Sequence, residues 1–397
     1  MTIQDKIRET QHLLKESNMG GWLLYDFRRT NDLAHRFLEI PSERMMTRRF
    51  FYWIPSEGEA TKIVHRIESQ VLDHLPGNLT TYSSWEELEQ LLKKTLRGSH
   101  RVAMEYSPNN AIPYVSKVDG GTIDLVRSFG VEVVSSANIL QRYTSIWTPE
   151  QLTMHLAAAG VLDATVAKAW DLIRDTIKSK KTITEYDVQR FILDQFEQSN
   201  CTCDDPPICA VNAHSADPHY IVEKSKASPI KPGDFVLIDL WCKQKKPHAV
   251  YADITRVGVV APKPTEKQQK IFSIVRDARD AAMDLIRNRL QAGAPIMGWE
   301  VDQACRSVIE KAGYRKYFTH RTGHNIGERD HGDGANIDNL ETKDCRFLLP
   351  QTCFSIEPGI YLPGEFGVRL EHDVYIEADG KNIKVTGGLQ KEIECLQ

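Results

Sequence analysis

Several apolar runs in the second half of the chain carry a carboxylate where a sheet would bury it. DFVLIDLWC (234–242) reads as an inner strand, yet Asp239 stands between Ile238 and Leu240. VYADITRVGVV (250–260) holds Asp253, CFSIEPGIYL (353–362) holds Glu357, and GVRLEHDVYIE (367–377) holds Glu371. Acids are seldom placed in such strands unless they are paired or hold a cation. One of them is readily an outward-facing surface residue; the set is not, because THRTGHNIGERDH (319–331) adds His324 and His331 in a Gly-punctuated loop between them. The turn KQKKPH (243–248) makes the first two runs the arms of a hairpin, so Asp239 and Asp253 can face one side. Arg369 and Glu371, two apart, share a strand face. Four ionised carboxylates and a neutral imidazole carry a charge of about −4, which cannot persist in one place without cations. Two divalent ions cancel it. Oxygen-rich ligands with one imidazole suit Mn, Co, Fe or Zn, and the ligand types alone do not choose among them.

The chain is 397 residues long with a formal net charge of −4, so no basic surplus points to nucleic acid. The start, MTIQDKIRETQHLLKESNMGG, lacks the pattern of an export signal, and polar residues interrupt every apolar run. The expectation is a cytoplasmic protein with no membrane partner, its eight cysteines reduced.

Residues 1–147 alternate strands with helices, as in an α/β layer domain. Helices are expected over 2–18 and 84–96, the latter opened by the capping box Ser84/Glu87, and strands over 22–27, 49–55, 60–67, 101–107 and 131–136. A helix broken near Gly120-Gly121 is expected within 112–125. Residues 148–397 form the second domain, opened by a long helix over 148–173 with Thr148, Pro149 and Gln151 as its start signal. Further helices are expected over 182–198, 265–290 and 298–314 among the acid-bearing strands, making this half, and the chain as a whole, α+β.

In order, Asp239, Asp253, His324, Glu357 and Glu371 resemble the ligand set of the metallopeptidase family that includes aminopeptidase P, prolidase and methionine aminopeptidase. The resemblance covers most of residues 150–390, and residues 1–145 resemble the family's creatinase-type N-terminal domain. It implies a pita-bread catalytic domain, a homodimer, and hydrolysis of peptides with proline in the second position by a hydroxide bridging two metal ions. Asp253 and Glu371 would bridge the ions, Asp239 would complete one site, and His324 with Glu357 the other. Glu357 would also shuttle the proton. His219 in DPHY and His331 would hold the substrate carbonyl and act in catalysis, and Arg369 would hydrogen-bond a ligand carboxylate.

The sequence departs from the family's pattern in four places. Asp239 and Asp253 are spaced by fourteen where the family has eleven; Asn325 stands for a glycine, His372 for an acid, and Gly332 for an acid. His214 rivals His219, which the spacing and the following Tyr220 favour. CTCDDPPIC (201–209) reads as a loop, since Cys-x-Cys does not match a zinc knuckle. In DFRRTND (26–32), the resemblance brings Arg28 or Arg29 toward a neighbouring subunit's substrate; a solvated loop is the plain reading. Other chemistries on the same scaffold are a creatinase-like amidinohydrolase, a lyase, or a binding protein without catalysis, and intact ligands count against the first and last.

Overall fold

A computed structural model describes residues 2–397, which form two compact units, one ending at Thr144 and the other running Ser145–Gln397. The first unit is built on one mixed sheet of strands β1 (Gly21–Asp26), β2 (Phe50–Pro55), β3 (Thr61–His65), β4 (Asn78–Tyr82), β5 (Arg101–Met104) and β6 (Glu132–Ser135), in the order β4-β3-β2-β1-β5-β6. The strand alternation sends Trp22, Leu24, Phe50 and Tyr52 into one core and Leu23, Tyr25, Phe51 and Trp53 into the other, with helices covering both faces. The capping box at Ser84 and Glu87 forms as expected. The expected break at Gly120-Gly121 is instead a start: Asp119 caps a helix over Gly120–Ser128, and its side chain accepts the Thr122 amide at 2.9 Å. Arg28 and Arg29 both have left-handed backbone, at φ 55 and 65. Arg29 is committed within its own unit, donating to the carbonyls of Pro41 (2.7 Å) and Arg44 (2.6 Å), whereas Arg28 is exposed beside Phe27.

The second unit opens with a helix over Pro149–Lys178, capped by Thr148 and Gln151, followed by one over Glu185–Gln198. Five strands, β7 (Cys201–Thr202), β8 (Ile208–Val211), β9 (Phe235–Gln244), β10 (Ala252–Val259) and β17 (Glu394–Cys395), form one sheet. Helices Glu266–Gln291 and Gly298–Lys311 lead to a second sheet, β11 (Asn325–Ile326), β12 (Cys353–Ile356), β15 (His372–Ile376) and β16 (Ile383–Thr386), and to a ribbon of β13 (Gly359–Leu362) and β14 (Phe366–Arg369).

Two features of these strands make the site. The antiparallel register of β9 and β10 pairs Phe235 with Val259, Leu237 with Val257, Asp239 with Thr255 and Trp241 with Asp253. These pairs share one sheet face, while Val236, Ile238, Leu240, Ala252 and Ile254 pack on the other against the first two helices. Along the inner face the first two pairs are core and each of the next two carries an acid, so the apolar layer of this core ends where the acids begin. The long turn between the arms leaves this register intact. The second feature differs from the sequence expectation: the runs 353–362 and 367–377 are each two strands. One breaks at Glu357-Pro358 and the other at Leu370-Glu371, where the chain passes between the second sheet and the ribbon. Proline supplies no amide and fixes φ, which ends β12. At the other break the Glu371 amide turns to the Thr255 carbonyl of β10, 3.4 Å away.

Candidate metal centre

Both glutamates therefore sit at strand ends, held against the polar half of the β9–β10 face. The histidine loop is fixed from the other side by Asp302 on the helix Gly298–Lys311. Its buried carboxylate accepts the Thr322 amide (2.9 Å) and the Arg306 guanidinium (2.8 and 3.1 Å). Gly323 is required next to His324, because a Cβ there would stand 2.0 Å from the Ser355 carbonyl oxygen. This close approach lets the His324 amide donate to Ser355 Oγ at 3.0 Å.

Asp253, His324 and Glu371 are buried and present ligand atoms within 4.8 Å of one another. His324 Nε2 lies 3.7 Å from Asp253 Oδ2 and 3.5 Å from Glu357 Oε1. These separations are long for hydrogen bonds and near the spacing of about 3.0–3.5 Å for donors on one ion at ~2.1 Å. Asp253 Oδ1 and Glu371 Oε1 are buried with no hydrogen-bond partner. Burial and the neighbouring carboxylates hold Asp253 and Glu371 well above their ordinary pKa. Burial pushes Glu357 up to about 7, against the pull of Arg369 and Arg321. Burial, then the charge of His331, hold His324 well below its ordinary value and so neutral. Crowded acids with orphaned oxygens beside a neutral imidazole fit divalent cations, which would relieve the repulsion and satisfy the orphans.

Asp239 joins this group through Thr255. The Thr255 hydroxyl lies 2.9 Å from Asp239 Oδ1 and 2.6 Å from Glu371 Oε2, and accepts from Arg369 Nε at 2.9 Å. Arg369 Nη2 donates to Asp239 Oδ2, and its Nη1 reaches the Tyr361 hydroxyl and the Pro218 carbonyl, both at 3.2 Å. The Pro218 contact sets His219 beside the group, with an exposed side chain. His214 is held elsewhere: it bonds Glu185 at 2.8 Å and stacks on Tyr220. The His331 ring packs 4.1 Å from that of His324, with its side chain 63% exposed.

The sequence reading missed three groups here. His320 is bonded through Nδ1 to the Arg321 carbonyl (2.7 Å) and through Nε2 to the Tyr361 hydroxyl (2.7 Å). Burial and then Arg369 drive it down to about 3, with His219 adding to the effect, so Nδ1 carries the proton and Tyr361 donates to Nε2. Asp373 accepts the Asp253 amide at 2.9 Å, fixing the backbone of that acid. Asp330 lies within 4.8 Å of His324 and His331. His320 was legible from its place four residues before His324; Asp330 was masked by its charged neighbours.

Two of the departures prove to be one packing arrangement. The Asn325 side chain accepts the Gly334 amide (2.9 Å) and donates to the Cys353 carbonyl (2.9 Å). A Cβ at Gly332 would stand 2.4 Å from Asn325 Oδ1, so a side chain at 325 demands its absence at 332. A third departure, His372, is buried with Nε2 3.2 Å from the Met283 sulfur. Around CTCDDPPIC, Cys201 and Cys209 are core residues, and all eight cysteines are free. No helix among the described residues is long and apolar enough to cross a membrane.

Comparison with known proteins gives this arrangement its context. An Xaa-Pro dipeptidase of Lactobacillus helveticus is 27% identical over 304 residues, 77% of this chain and 75% of the relative. Among solved structures, dipeptidase PepE from Mycobacterium ulcerans superposes with a TM-score of 0.64 at 22% identity, covering 99% of this chain and 98% of that one. The N-terminal domain of the FACT complex subunit SPT16 from chickpea matches with a TM-score of 0.60 at 13% identity, over 98% and 97% of the chains. The shared fold is the pita-bread fold, so fold alone does not separate peptidases from other proteins built on it. The match to the description of metallopeptidase family M24 runs over residues 154–378 and spans all five acid and histidine positions, and on it the chain belongs to that family.

Proposed function

We propose that this chain hydrolyses peptides with proline in the second position, using two divalent ions, Mn foremost, on Asp239, Asp253, His324, Glu357 and Glu371. The observation that carries the reading is the pair of buried, unpartnered oxygens, Asp253 Oδ1 and Glu371 Oε1, facing a neutral His324 within the M24 match. The relative from Lactobacillus helveticus bears the name Xaa-Pro dipeptidase, which favours a dipeptide over a longer substrate. Bound divalent ions supply an activated water nucleophile near neutral pH and polarise the scissile carbonyl.

The chain's own residues do the rest. Glu357 takes the water's proton and passes it to the leaving proline nitrogen; Ser355 Oγ, 3.3 Å from Oε1, steadies it. His219 and His331, at the exposed side of the group, hold the substrate carbonyl and donate to the developing oxyanion. Arg369 orients Asp239 by donating to its Oδ2, and the Arg321 carbonyl, through His320 and Tyr361, fixes the orientation of Arg369.

The test is turnover of an Xaa-Pro dipeptide and an Xaa-Pro-Yaa tripeptide by Mn-loaded protein. Release of proline from the dipeptide is expected; no cleavage of either, with ions bound, would refute it. A binding role without catalysis is the second reading, favoured by the likeness to the FACT subunit domain, and it requires that same negative result. A homodimer is expected in solution, and elution at monomer size at micromolar concentration would contradict it.

A further inference from the structure

His219 is carried by a stretch with little apolar hold. From Ala216 to Pro229 every side chain is partly or fully exposed, and Ser215 and Ile230 are the nearest buried positions before and after it. Up to Pro218 the stretch is tied to the ribbon. The Gly367 amide donates to Ser215 Oγ at 2.9 Å, and Arg369 Nη1 reaches the Pro218 carbonyl at 3.2 Å. Beyond Pro218 the hold passes to Glu185.

Glu185 is the first residue of the helix Glu185–Gln198, and it is fully buried. Its carboxylate gathers four donors. Oε1 accepts the Val211 amide at 2.7 Å and His214 Nδ1 at 2.8 Å; Oε2 accepts the Ser228 amide at 2.6 Å and the Tyr220 hydroxyl at 2.9 Å. These donors span the whole excursion: Val211 ends β8 before it, Ser228 closes it, and Tyr220 follows His219 directly. The Glu185 amide adds a bond to the Ser228 carbonyl at 3.1 Å. His214 braces the Tyr220 ring, with centroids 4.3 Å apart. Burial, then Glu185, hold the Tyr220 hydroxyl above its ordinary pKa, so it remains a donor. The helix does not need this acid for its own start, because Thr184 and Asp187 already form its capping box. A fully buried carboxylate is costly to place, and all four donors to this one lie on the His219 stretch or at its ends.

We propose that Glu185 is the positioning residue for His219: it closes the 211–228 loop and, through Tyr220, fixes the backbone from which His219 reaches the substrate. This rests on the reading in which His219 holds the scissile carbonyl. Glutamine at 185 keeps the shape but turns one acceptor into a donor. Whichever way its amide is flipped, the NH2 group faces a backbone N–H that cannot turn away, that of Val211 or that of Ser228. The excursion then loosens at one end. A displacement of about 1 Å at a group acting on the transition state costs about 100-fold in rate.

The test is a double-mutant cycle on Mn-loaded full-length protein with Ala-Pro as substrate: wild type, Glu185→Gln, His219→Ala and both together. Glu185→Gln should lower kcat/KM by about 10–100-fold with two ions still bound. In the His219→Ala background the same change should cost less than about threefold, because no imidazole is left to position. A purely structural role would lower both backgrounds equally, and equal losses would overturn the proposal. So would wild-type activity in either single variant, or loss of an ion from Glu185→Gln. Should Glu185→Gln not fold, Tyr220→Phe takes its place in the cycle; it removes one of the four bonds, and its smaller loss should likewise vanish in the His219→Ala background. Failure of the wild type to cleave Ala-Pro would strike the peptidase reading instead. Hydrogen exchange then decides the role of Glu185: the amides of residues 217–228 should exchange faster in Glu185→Gln, and unchanged exchange would overturn the proposal.

Discussion

Replacing Thr255 with valine removes one hydroxyl from the centre of the site while keeping its shape. That hydroxyl is fully buried and lies within 2.9 Å of three charged groups: Glu371 Oε2, Asp239 Oδ1 and Arg369 Nε. Its loss leaves the Arg369 Nε–H without its acceptor and takes from the two acids the donor they share. Glu371 is the more affected, because its other oxygen already has no partner. Stranding groups of this kind costs about 1–3 kcal/mol in a protein interior. Glu371 also becomes harder to ionise, so an incoming cation must displace its proton more often. Outer partners of metal ligands typically contribute 10–100-fold to affinity, about 1.4–2.7 kcal/mol, and Thr255→Val should fall in that range. Thr255→Ser, which keeps the hydroxyl, should stay within about threefold of wild type. Chelator competition with Mn at fixed pH measures both. Wild-type affinity in Thr255→Val would refute the reasoning, since Asp239 and Glu371 would then need no common donor.

Other perturbations reach the surroundings. Arg369→Lys retains charge but cannot span Thr255, Tyr361 and Asp239 at once, so kcat should fall at least about tenfold with the fold retained by circular dichroism. Gly332→Ala places a Cβ 2.4 Å from Asn325 Oδ1 and should destabilise by about 1–3 kcal/mol, less in an Asn325→Gly background; strict additivity in a double-mutant cycle would contradict the shared packing. His155 is fully buried between the Tyr251 carbonyl and Thr386 Oγ1, and burial lowers it from 6.5 to about 4. The folded state then binds fewer protons than the unfolded one, so stability is lost as pH falls from 6.5 toward 4. The loss is at most about 3 kcal/mol, and the slope should flatten in His155→Gln when thermal unfolding is followed against pH.

Much of this site is legible in the amino-acid sequence because strands have a period of two. Asp239 and Asp253 are in phase with Phe235, Leu237, Val257 and Val259, and that phase alone puts them on an inner face. The helix starts at Thr148, Thr184 and Thr265 are equally readable, since each offers a side-chain acceptor three residues ahead of its donor. What resists reading is set by tertiary partners. The break at Leu370-Glu371 lies inside a run with no proline or glycine at that point, and the exchange of hydrogen-bonding neighbours ends the strand there, whereas Pro358 marks the break after Glu357 in the sequence itself. The edge strand Asn78–Tyr82 is largely solvated, so its sequence NLTTY carries little apolar signal. Asn325 and Gly332 read as separate departures because the contact joining them is spatial. Asp330 and Asp373 stand among other charged residues, and burial, which sets them apart, is not written in composition.

Metal content measured on the intact chain bears most directly on the two-ion centre. Protein dialysed against Mn and passed through a desalting column should carry two ions per chain by elemental analysis. Asp253→Asn should carry fewer than one while keeping the wild-type fold by circular dichroism. A wild type that retains no divalent ion, or an Asp253→Asn variant that retains two, would contradict a centre in which Asp253 serves both.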